Sequence, residues 1–316
     1  MRTPGDCWWF WWNNDIETNA WALKALVAVD PQSDLAPRLV KWLLNNRRNG
    51  YYWRSTRDTA LTIAAMVDYM DEQIKRVLDF LKSIDAYDNT MIVFFSDNGA
   101  NGHPHKAYPG QTDDYLEAFD NRLDNRGLIN SYVDMGPGWA QASMAPSRLF
   151  KAFPSQGGIR SPLIVKAPGN HGHAGRMNHA FLHIRDIMPT VLDAANIVLP
   201  ETVNGRQVRS MQGRSVLDLF KGQSATAYAQ ASTVGDELFG LKALFNGDYK
   251  ILWLPQPFGK GDWELFNLKN DPGEMNDLST RYPEKREAMI ALWEQYKVEN
   301  GVLDIDMDLS GSKGVK

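Results

Sequence analysis

The spacing of apolar and polar residues divides the chain into a helical first part and a mixed later part. Up to about residue 82, apolar residues recur at helical intervals, and breaks are expected around Pro31, Pro37 and Asn49-Gly50. The continuous apolar run over residues 91–96 then predicts a buried parallel strand, since such strands are covered on both faces. A second strand is predicted near residues 162–166. The pattern therefore predicts helices followed by an α/β region.

The last hundred residues predict a small antiparallel sheet followed by a helix. Two strands, residues 241–245 and 249–254, flank the turn Asn246-Gly247-Asp248, which is a typical hairpin sequence. Residues 263–268 would add a third strand. Residues 283–299 predict an amphipathic helix with a proline in its first turn. A further helix is expected earlier in the chain, near residues 184–195.

Composition narrows the class of protein. The chain has 316 residues, 43% of them hydrophobic, so it can bury a sizeable core in one or two domains. Its formal net charge of -4 argues against non-specific binding of nucleic acid. No run of about 18 apolar residues is present, so no membrane span is expected. A single cysteine, Cys7, excludes an internal disulfide framework.

The candidate chemistry follows the first predicted strand, in the segment Ser96-Asp97-Asn98-Gly99. Asp97 and Asn98 could offer side-chain oxygens to a hard cation at the rim of a sheet. An ordinary turn is the alternative interpretation, because turns select the same residue types. Downstream, Lys151 could contact an anion, and the pair Gly157-Gly158 could let backbone run close to the site. Together these residues indicate a metal-assisted hydrolase of anionic esters.

From about residue 64 to residue 302, the chain resembles the C-terminal half of a sulfatase of the alkaline-phosphatase superfamily. The likeness is greatest to the bacterial arylsulfatases. Several separate segments carry it, in the order that the family uses: residues 64–78, 87–90, 136–143, 145–153, 157–160, 186–193, 263–268 and 271–274.

The resemblance implies a fold and roles for individual residues. The fold class is α/β: an incomplete alkaline-phosphatase-like sandwich with a small C-terminal antiparallel sheet plus helix, preceded by an all-α N-terminal segment. Asp97 and Asn98 would bind calcium. Lys151, the candidate catalytic and substrate-binding residue, would contact the sulfate and stabilise charge on the leaving oxygen. The substrate would be a sulfate-ester small molecule or a sulfated glycan. A phosphoryl or phosphonate ester hydrolase of the same superfamily remains an alternative.

Part of the family's active site is missing from the sequence. Sulfatases attack with formylglycine, made from the Cys or Ser that opens a C/S-x-P/A-x-R signature. Cys7 has neither the Pro nor the Arg, and the nearest partial match, residues 144–148, begins with Met144. The early pair of Asp residues that completes the calcium site is also absent. We therefore expect a partial calcium site and a chain that is inactive as it stands.

Residues 1–62 resemble a different family, in the closing helices of the thioester domain of bacterial alpha-2-macroglobulins. Seven of the eleven Trp residues fall at or before Trp53, which marks a shift in composition. The resemblance makes a protease-inhibitor fragment an alternative function, and the absence of the thioester motif counts against it. The predicted domains are residues 1–62, residues 63–213 and residues 214–316. No secretory signal opens the chain, so a cytoplasmic location is expected as it stands, whereas the parent sulfatases are bacterial periplasmic or cytoplasmic proteins.

Overall fold

The computed structural model describes residues 15–46, 53, 56–103, 117–122, 125, 130–132, 136–169 and 175–304. These residues form two compact units. The first contains the described residues up to Asp85 and those from Asn101 to Trp139, and the second contains Ala86–Ala100 and the described residues that follow Trp139. Among the described helices, none is both long and apolar enough to cross a membrane.

Three helices build the first unit: α1 (Asp15–Val29), α2 (Leu35–Asn45) and α3 (Thr56–Ser83). They pack around a small apolar cluster that includes Leu23 and Leu43, both fully buried. The predicted break near Pro31 is confirmed. The predicted break at Pro37 is wrong. Pro37 lies in the first turn of α2, where backbone N–H groups have no intrahelical acceptor, so the N–H that proline lacks costs no hydrogen bond. Asn49-Gly50 lies outside the described residues.

Helix α3 continues without interruption through the predicted boundary between residues 62 and 63. Ion pairs tie its first half to α1: Lys24 pairs with Asp68, and Arg57 pairs with Glu17. The division of the chain at residue 62, like the one at residue 213, stays a prediction.

The second unit begins with a two-stranded ribbon of β1 (Ile92–Phe95) and β2 (Leu163–Lys166). The strands are antiparallel, with Phe95 opposite Leu163. The prediction of a buried parallel strand is therefore wrong. An apolar run does not specify the direction of its partner strand. Here β2 begins opposite the last residue of β1, so the two strands run in opposite directions. Phe94 and Phe95 are 44% and 40% exposed, so the run is not buried either.

Short elements lie between the two strands of this ribbon and between the ribbon and the C-terminal sheet. They are α4 (Pro137–Met144), α5 (Gln156–Ile159), a 3₁₀ turn (Ile184–Asp186), α6 (Ile187–Ala194), the small hairpin β3 (Thr202–Val203) with β4 (Arg206–Gln207), and α7 (Leu217–Phe220). The helix expected near residues 184–195 is confirmed as the 3₁₀ turn running into α6.

A four-stranded antiparallel sheet and a long helix complete the second unit. The strands are β5 (Thr233–Leu238), β6 (Leu241–Asn246), β7 (Tyr249–Trp253) and β8 (Trp263–Asn267), in that order, and the helix is α8 (Pro283–Asn300). Gly247 has a φ of 60°, as the turn between β6 and β7 requires. Leu244, Ile251 and Trp293 are fully buried between sheet and helix. The predicted hairpin, third strand and final helix are confirmed.

Strand β5 escaped prediction because its sequence carries Gly235, Asp236 and Glu237 in succession. The structure supplies the reason for the glycine. The ring of Tyr296 on α8 occupies the position of a side chain there, 2.5 Å from where a Cβ would lie. Close packing of α8 on β5 therefore depends on the absence of a side chain at Gly235.

Candidate active site

The candidate metal ligands lie in a turn directly after β1. The Asn98 backbone N–H donates to Asp97 Oδ1 at 3.0 Å, and the side-chain nitrogen Asn98 Nδ2 donates to the Gly99 carbonyl at 2.8 Å. Ser96 Oγ donates to the Asn98 carbonyl at 3.2 Å. The turn interpretation is thus correct for the backbone. It does not compete with the ligand hypothesis, because the same turn presents the Asp97 and Asn98 side chains at the end of the strand.

Three glycines bring the backbone of separate segments into direct contact beside this turn. Gly99 N–H donates to the Gly158 carbonyl at 2.9 Å, and a Cβ on Gly99 would lie 1.9 Å from the Gly157 oxygen. A Cβ on Gly157 would lie 2.0 Å from the Leu149 oxygen, and one on Gly158 2.0 Å from the Phe153 oxygen. The expectation that Gly157-Gly158 allows close backbone approach is confirmed.

The structure brings the backbone of Lys151 to the same place. Its N–H donates to the carbonyl of Ala100 at 2.9 Å, three residues after Asp97 in the chain. Two nearby residues have unusual backbone conformations: Leu149, two positions before Lys151, has a φ of 61°, and Ala152, directly after it, has a φ of 73°. Lys151 therefore occupies a tightly bent loop against the Asp97–Asn98 turn. Its contact with a substrate stays a prediction.

An arginine fixes this loop to the C-terminal sheet. Arg148 Nη1 lies 3.1 Å from both carboxylate oxygens of Glu264 on β8, and Arg148 Nη2 donates to the Phe258 carbonyl at 2.8 Å. Burial raises the pKa of Glu264 above its usual value, and the guanidinium charge of Arg148 opposes that rise. The pair is largely shielded from solvent, so it resists screening by salt.

A second buried pair supports the turn of α5 that contains Gly157 and Gly158, here named the glycine turn. Glu274 Oε2 accepts the Gln156 N–H at 2.8 Å, and Glu274 Oε1 accepts from Lys250 Nζ at 2.5 Å. Lys250 also donates to the Pro154 carbonyl. Burial lowers the pKa of Lys250, and the negative charge of Glu274 works against that shift. Both side chains are fully buried, so the two charges compensate each other inside the protein.

Sequence reasoning missed these supporting residues, although signals for them were present. Lys250 stands within the apolar strand β7, where a charged side chain needs a buried partner. Glu274 closes the 271–274 segment and has a positive φ of 59°. Neither signal identifies the partner, because the two residues meet only through the fold.

Met144, the first residue of the partial signature match, also lies beside the site. Its Sδ accepts the Ala100 N–H at 3.2 Å. A thioether has no proton to lose and cannot be converted to formylglycine, so Met144 packs here without supplying a nucleophile. Cys7 lies outside the described residues.

The residues present fit a calcium ion only in part. Carboxylate and amide oxygens, as in Asp97 and Asn98, are the donors that calcium uses, but the ion takes roughly 6 to 8 oxygen ligands. Within the described parts of the chain, no three His, Cys, Asp or Glu side chains come together in a way that could hold a metal ion. Asp97 and Asn98 therefore form an incomplete ligand set for calcium.

Two family models match the sequence. The sulfatase model matches residues 13–197, which is more than half of the chain. The model for the C-terminal region of N-sulphoglucosamine sulphohydrolase matches residues 149–299. The first match begins inside the N-terminal segment that resembles alpha-2-macroglobulin, and that second resemblance stays a prediction.

Curated relatives include sulfatases from a fungus and a bacterium. An uncharacterized sulfatase of Schizosaccharomyces pombe is 38% identical over 242 residues, covering 76% of this chain and 43% of the relative. An arylsulfatase of Klebsiella aerogenes is 35% identical over 155 residues, covering 48% of this chain and 33% of the relative. The chain thus spans less than half the length of these relatives.

Solved structures show a similar fold. The crystal structure of Ps i-CgsB in complex with k-i-k-neocarrahexaose matches 90% of this chain and 55% of its own, with a TM-score of 0.53 and 19% identity. A sulfatase structure from work on glycosaminoglycan metabolism by Bacteroides thetaiotaomicron gives a TM-score of 0.52 at 18% identity, over 90% of this chain and 54% of its own. At these identities the likeness concerns the fold, which is alkaline-phosphatase-like.

Proposed function

This chain belongs to the sulfatase family, and we propose that its Asp97–Lys151 region is the C-terminal part of a site for sulfuric ester cleavage. One observation carries the proposal: the Lys151 backbone N–H donates a hydrogen bond to the Ala100 carbonyl. This contact places the backbone of the cationic residue beside the Asp97–Asn98 turn. A cation beside oxygen ligands suits an anionic ester, since it stabilises charge that develops on the leaving oxygen.

The proposed roles follow from side-chain chemistry. Lys151 would bind the sulfate group, and Asp97 with Asn98 would supply two of the ligands of a calcium ion. The formylglycine signature of the family does not occur in the sequence. We therefore propose that the chain binds sulfate groups weakly and does not turn over sulfate esters as it stands.

The substrate class proposed is a sulfate-ester small molecule or a sulfated glycan. The name of the arylsulfatase relative supports the first, and the carrahexaose complex of the structural neighbour supports the second. A phosphoryl or phosphonate ester hydrolase is the second candidate, because sulfate and phosphate share tetrahedral geometry.

Titration with inorganic sulfate tests the binding role of Lys151. Calorimetry of the full chain in calcium buffer should give weak binding that Lys151→Met reduces about tenfold, since it removes a charge-assisted contact. Lys269→Met, at an exposed lysine on the C-terminal part, is the matched control and should bind as the parent does. Undiminished binding by Lys151→Met would remove Lys151 from the site, and tighter binding of phosphate than of sulfate would favour the second candidate.

Turnover is tested separately with an aryl sulfate in the presence of calcium. We expect no release of the phenol above the rate of a buffer blank. Release that persists through purification and disappears in Lys151→Met would contradict the proposed inactivity and would indicate a nucleophile outside the C/S-x-P/A-x-R pattern.

A further inference from the structure

Lys151 stands in a loop whose backbone conformation is uncommon for its sequence. Leu149 and Ala152 both have positive φ, at 61° and 73°, and neither is a glycine or an asparagine. Side chains with a Cβ rarely adopt this left-handed region, because the Cβ comes too close to neighbouring backbone. Such a conformation persists only where surrounding contacts impose it. The loop must therefore be held from outside.

Gln141 makes the contact that spans the bend. Its side-chain oxygen Oε1 accepts the Leu149 N–H at 2.7 Å, and its Nε2 donates to the Ser147 carbonyl at 2.9 Å. The oxygen and the nitrogen of one side-chain amide thus bind the backbones of Leu149 and Ser147, which are two residues apart. Gln141 lies on the regular helix α4, so the backbone that carries its side-chain amide has a fixed position.

The other contacts of the loop act at different points. Arg148 reaches away to Glu264 and Phe258, which fixes the loop to the C-terminal sheet. The Arg148 carbonyl accepts the Gly157 N–H at 2.8 Å, and the Lys151 N–H reaches Ala100. Among the described contacts, the Gln141 amide is the one that holds the left-handed residue itself, two positions before Lys151.

We infer that Gln141 is a positioning residue for Lys151, and that it sets the direction in which the lysine leaves the loop beside Asp97 and Asn98. This inference rests on the proposed role of Lys151 in binding the sulfate group. Both of these hydrogen bonds of the Gln141 side chain go to backbone groups, so its proposed effect on Lys151 passes through Ser147 and Leu149.

The chemistry of the contact dictates which substitutions are informative. Glutamate keeps an acceptor for the Leu149 N–H but cannot donate to the Ser147 carbonyl. Its second carboxylate oxygen would instead lie against the Ser147 carbonyl oxygen, and the two oxygens would repel each other. Leucine is similar in size and keeps neither hydrogen bond. A graded series is therefore expected, in which Gln141→Glu is intermediate and Gln141→Leu has the larger effect.

The experiment follows the Lys151 side chain by nuclear magnetic resonance. Lysines of the full-length chain are reductively methylated with ¹³C-formaldehyde, and the Lys151 signal is assigned by its loss in Lys151→Met. In Gln141→Leu, the Lys151 methyl signal should move toward that of exposed lysines. Inorganic sulfate should then half-saturate the signal at a concentration about five to ten times that of the parent, as expected for a lost pair of hydrogen bonds.

Gln295→Leu is the matched control, because Gln295 lies on α8 and donates to exposed Glu299. It should leave the Lys151 signal and the sulfate titration unchanged. A folded Gln141→Leu variant with the parent's signal and the parent's titration would overturn the inference. If that variant does not fold, Gln141→Glu decides, and an unmoved Lys151 signal in it would overturn the inference equally.

The two proposals can fail separately. If sulfate leaves the parent Lys151 signal unmoved while Gln141→Leu still displaces it, the sulfate-binding role fails and the positioning role stands. If the parent responds to sulfate and Gln141→Leu responds in the same way, only the positioning role fails.

Discussion

Single residues decide how closely the segments of this site approach one another. Gly99, Gly157 and Gly158 each lie where a Cβ would stand within 2.0 Å of a carbonyl oxygen on a neighbouring segment. In each case the obstacle is backbone, which cannot rotate out of the way as a long side chain could. These glycines are required by contact distance, since none of the three has a positive φ.

Gly157→Ala should therefore be strongly destabilising. We expect a loss of about 3 kcal/mol or more in the free energy of unfolding, because backbone has to move to admit the methyl group. Urea unfolding followed by tryptophan fluorescence measures the loss. Gly138→Ala is the control: Gly138 lies in α4 with open space around it, so alanine should be neutral or stabilising by up to about 1 kcal/mol. Equal stability of the two variants would contradict the contact argument.

Asp236 is a second residue whose effect follows from its immediate partners. His183 Nδ1 accepts from the Arg185 backbone N–H, so its Nε2 carries the proton that Asp236 Oδ1 accepts at 2.9 Å. Burial acts to raise the pKa of Asp236, but the hydrogen bond from His183 and the nearby charge of Arg185 lower it below its usual value. The carboxylate thus keeps its charge to lower pH when the protein is folded.

Asp236→Ala should lower stability by about 2 kcal/mol at pH 7, because it leaves the His183 Nε2–H without its acceptor and removes the negative charge beside Arg185. A carboxylate with a depressed folded pKa contributes stability above its ordinary pKa, which is 3.8 for this aspartate. The gap between parent and variant should therefore narrow as the pH falls below about 4. Thermal unfolding from pH 7 to pH 3 measures it. Asp262→Ala, at an exposed partner of Arg286, should cost less than about 1 kcal/mol, and a gap for Asp236→Ala that does not vary with pH would refute the assignment.

At the scale of elements, the loop that carries Lys151 is held to β8 by an ion pair in which Arg148 Nη1 contacts both carboxylate oxygens of Glu264. The Arg148 and Glu264 side chains retain 20% and 6% of their exposure, so removing one partner leaves a poorly solvated charge. The residues lie 116 positions apart, and their pairing joins the loop to the C-terminal sheet. The stability of the loop is thereby coupled to that of the sheet.

Arg148→Met should cost about 3–5 kcal/mol at pH 8, because Glu264 stays buried without its partner. The pKa of Glu264, already raised by burial, should rise further without the guanidinium. A carboxyl with a raised folded pKa is easier to bury when protonated, so the variant should recover stability as the pH falls from 8 to 5. This trend is opposite to the one expected for Asp236. The double variant Arg148→Met with Glu264→Gln should be more stable than Arg148→Met alone at pH 8. A deficit that grows toward pH 5 would contradict the prediction.

At the scale of the whole molecule, the C-terminal part supports the candidate site through contacts that are distant in sequence. Glu274 binds the Gln156 N–H across 118 positions, and Lys250 on β7 binds both Glu274 and the Pro154 carbonyl. The glycine turn, β7 and the 271–274 segment therefore share one buried ion pair. Residues 86–100 and the described residues from 140 onward fall in one compact unit, which agrees with this arrangement.

Lys250→Met should destabilise the protein by about 3–5 kcal/mol, since Glu274 is left buried and uncompensated. Adding Glu274→Gln should recover part of the loss, because the glutamine oxygen can still accept the Gln156 N–H. A double-mutant cycle should give a coupling energy of about 2 kcal/mol between the two residues. Hydrogen exchange at the Gly157 and Gly158 amides should be faster in Lys250→Met than in the parent. Additive effects with unchanged exchange would show that the pair does not support the turn.

Much of the architecture could be predicted from local sequence. The β6–β7 hairpin follows from Asn246-Gly247-Asp248, and helix α8 follows from Pro283 and the apolar spacing after it. The segments around Asp97, Lys151 and Gly157 indicated the family, which the matching models confirm. Strand β5 and the direction of the β1–β2 pairing could not be obtained in this way, because each depends on what packs against the strand.

The amino-acid sequence alone determined which residues carry the candidate chemistry and where the local turns and helices form, because those properties depend on neighbours within a few positions. Only the tertiary structure decided that the Lys151 and Ala100 backbones meet, that Gln141 holds Leu149, and that two buried ion pairs support the loops. Burial, strain and charge compensation depend on the neighbours that the fold supplies, and for both ion pairs those neighbours are distant in the chain.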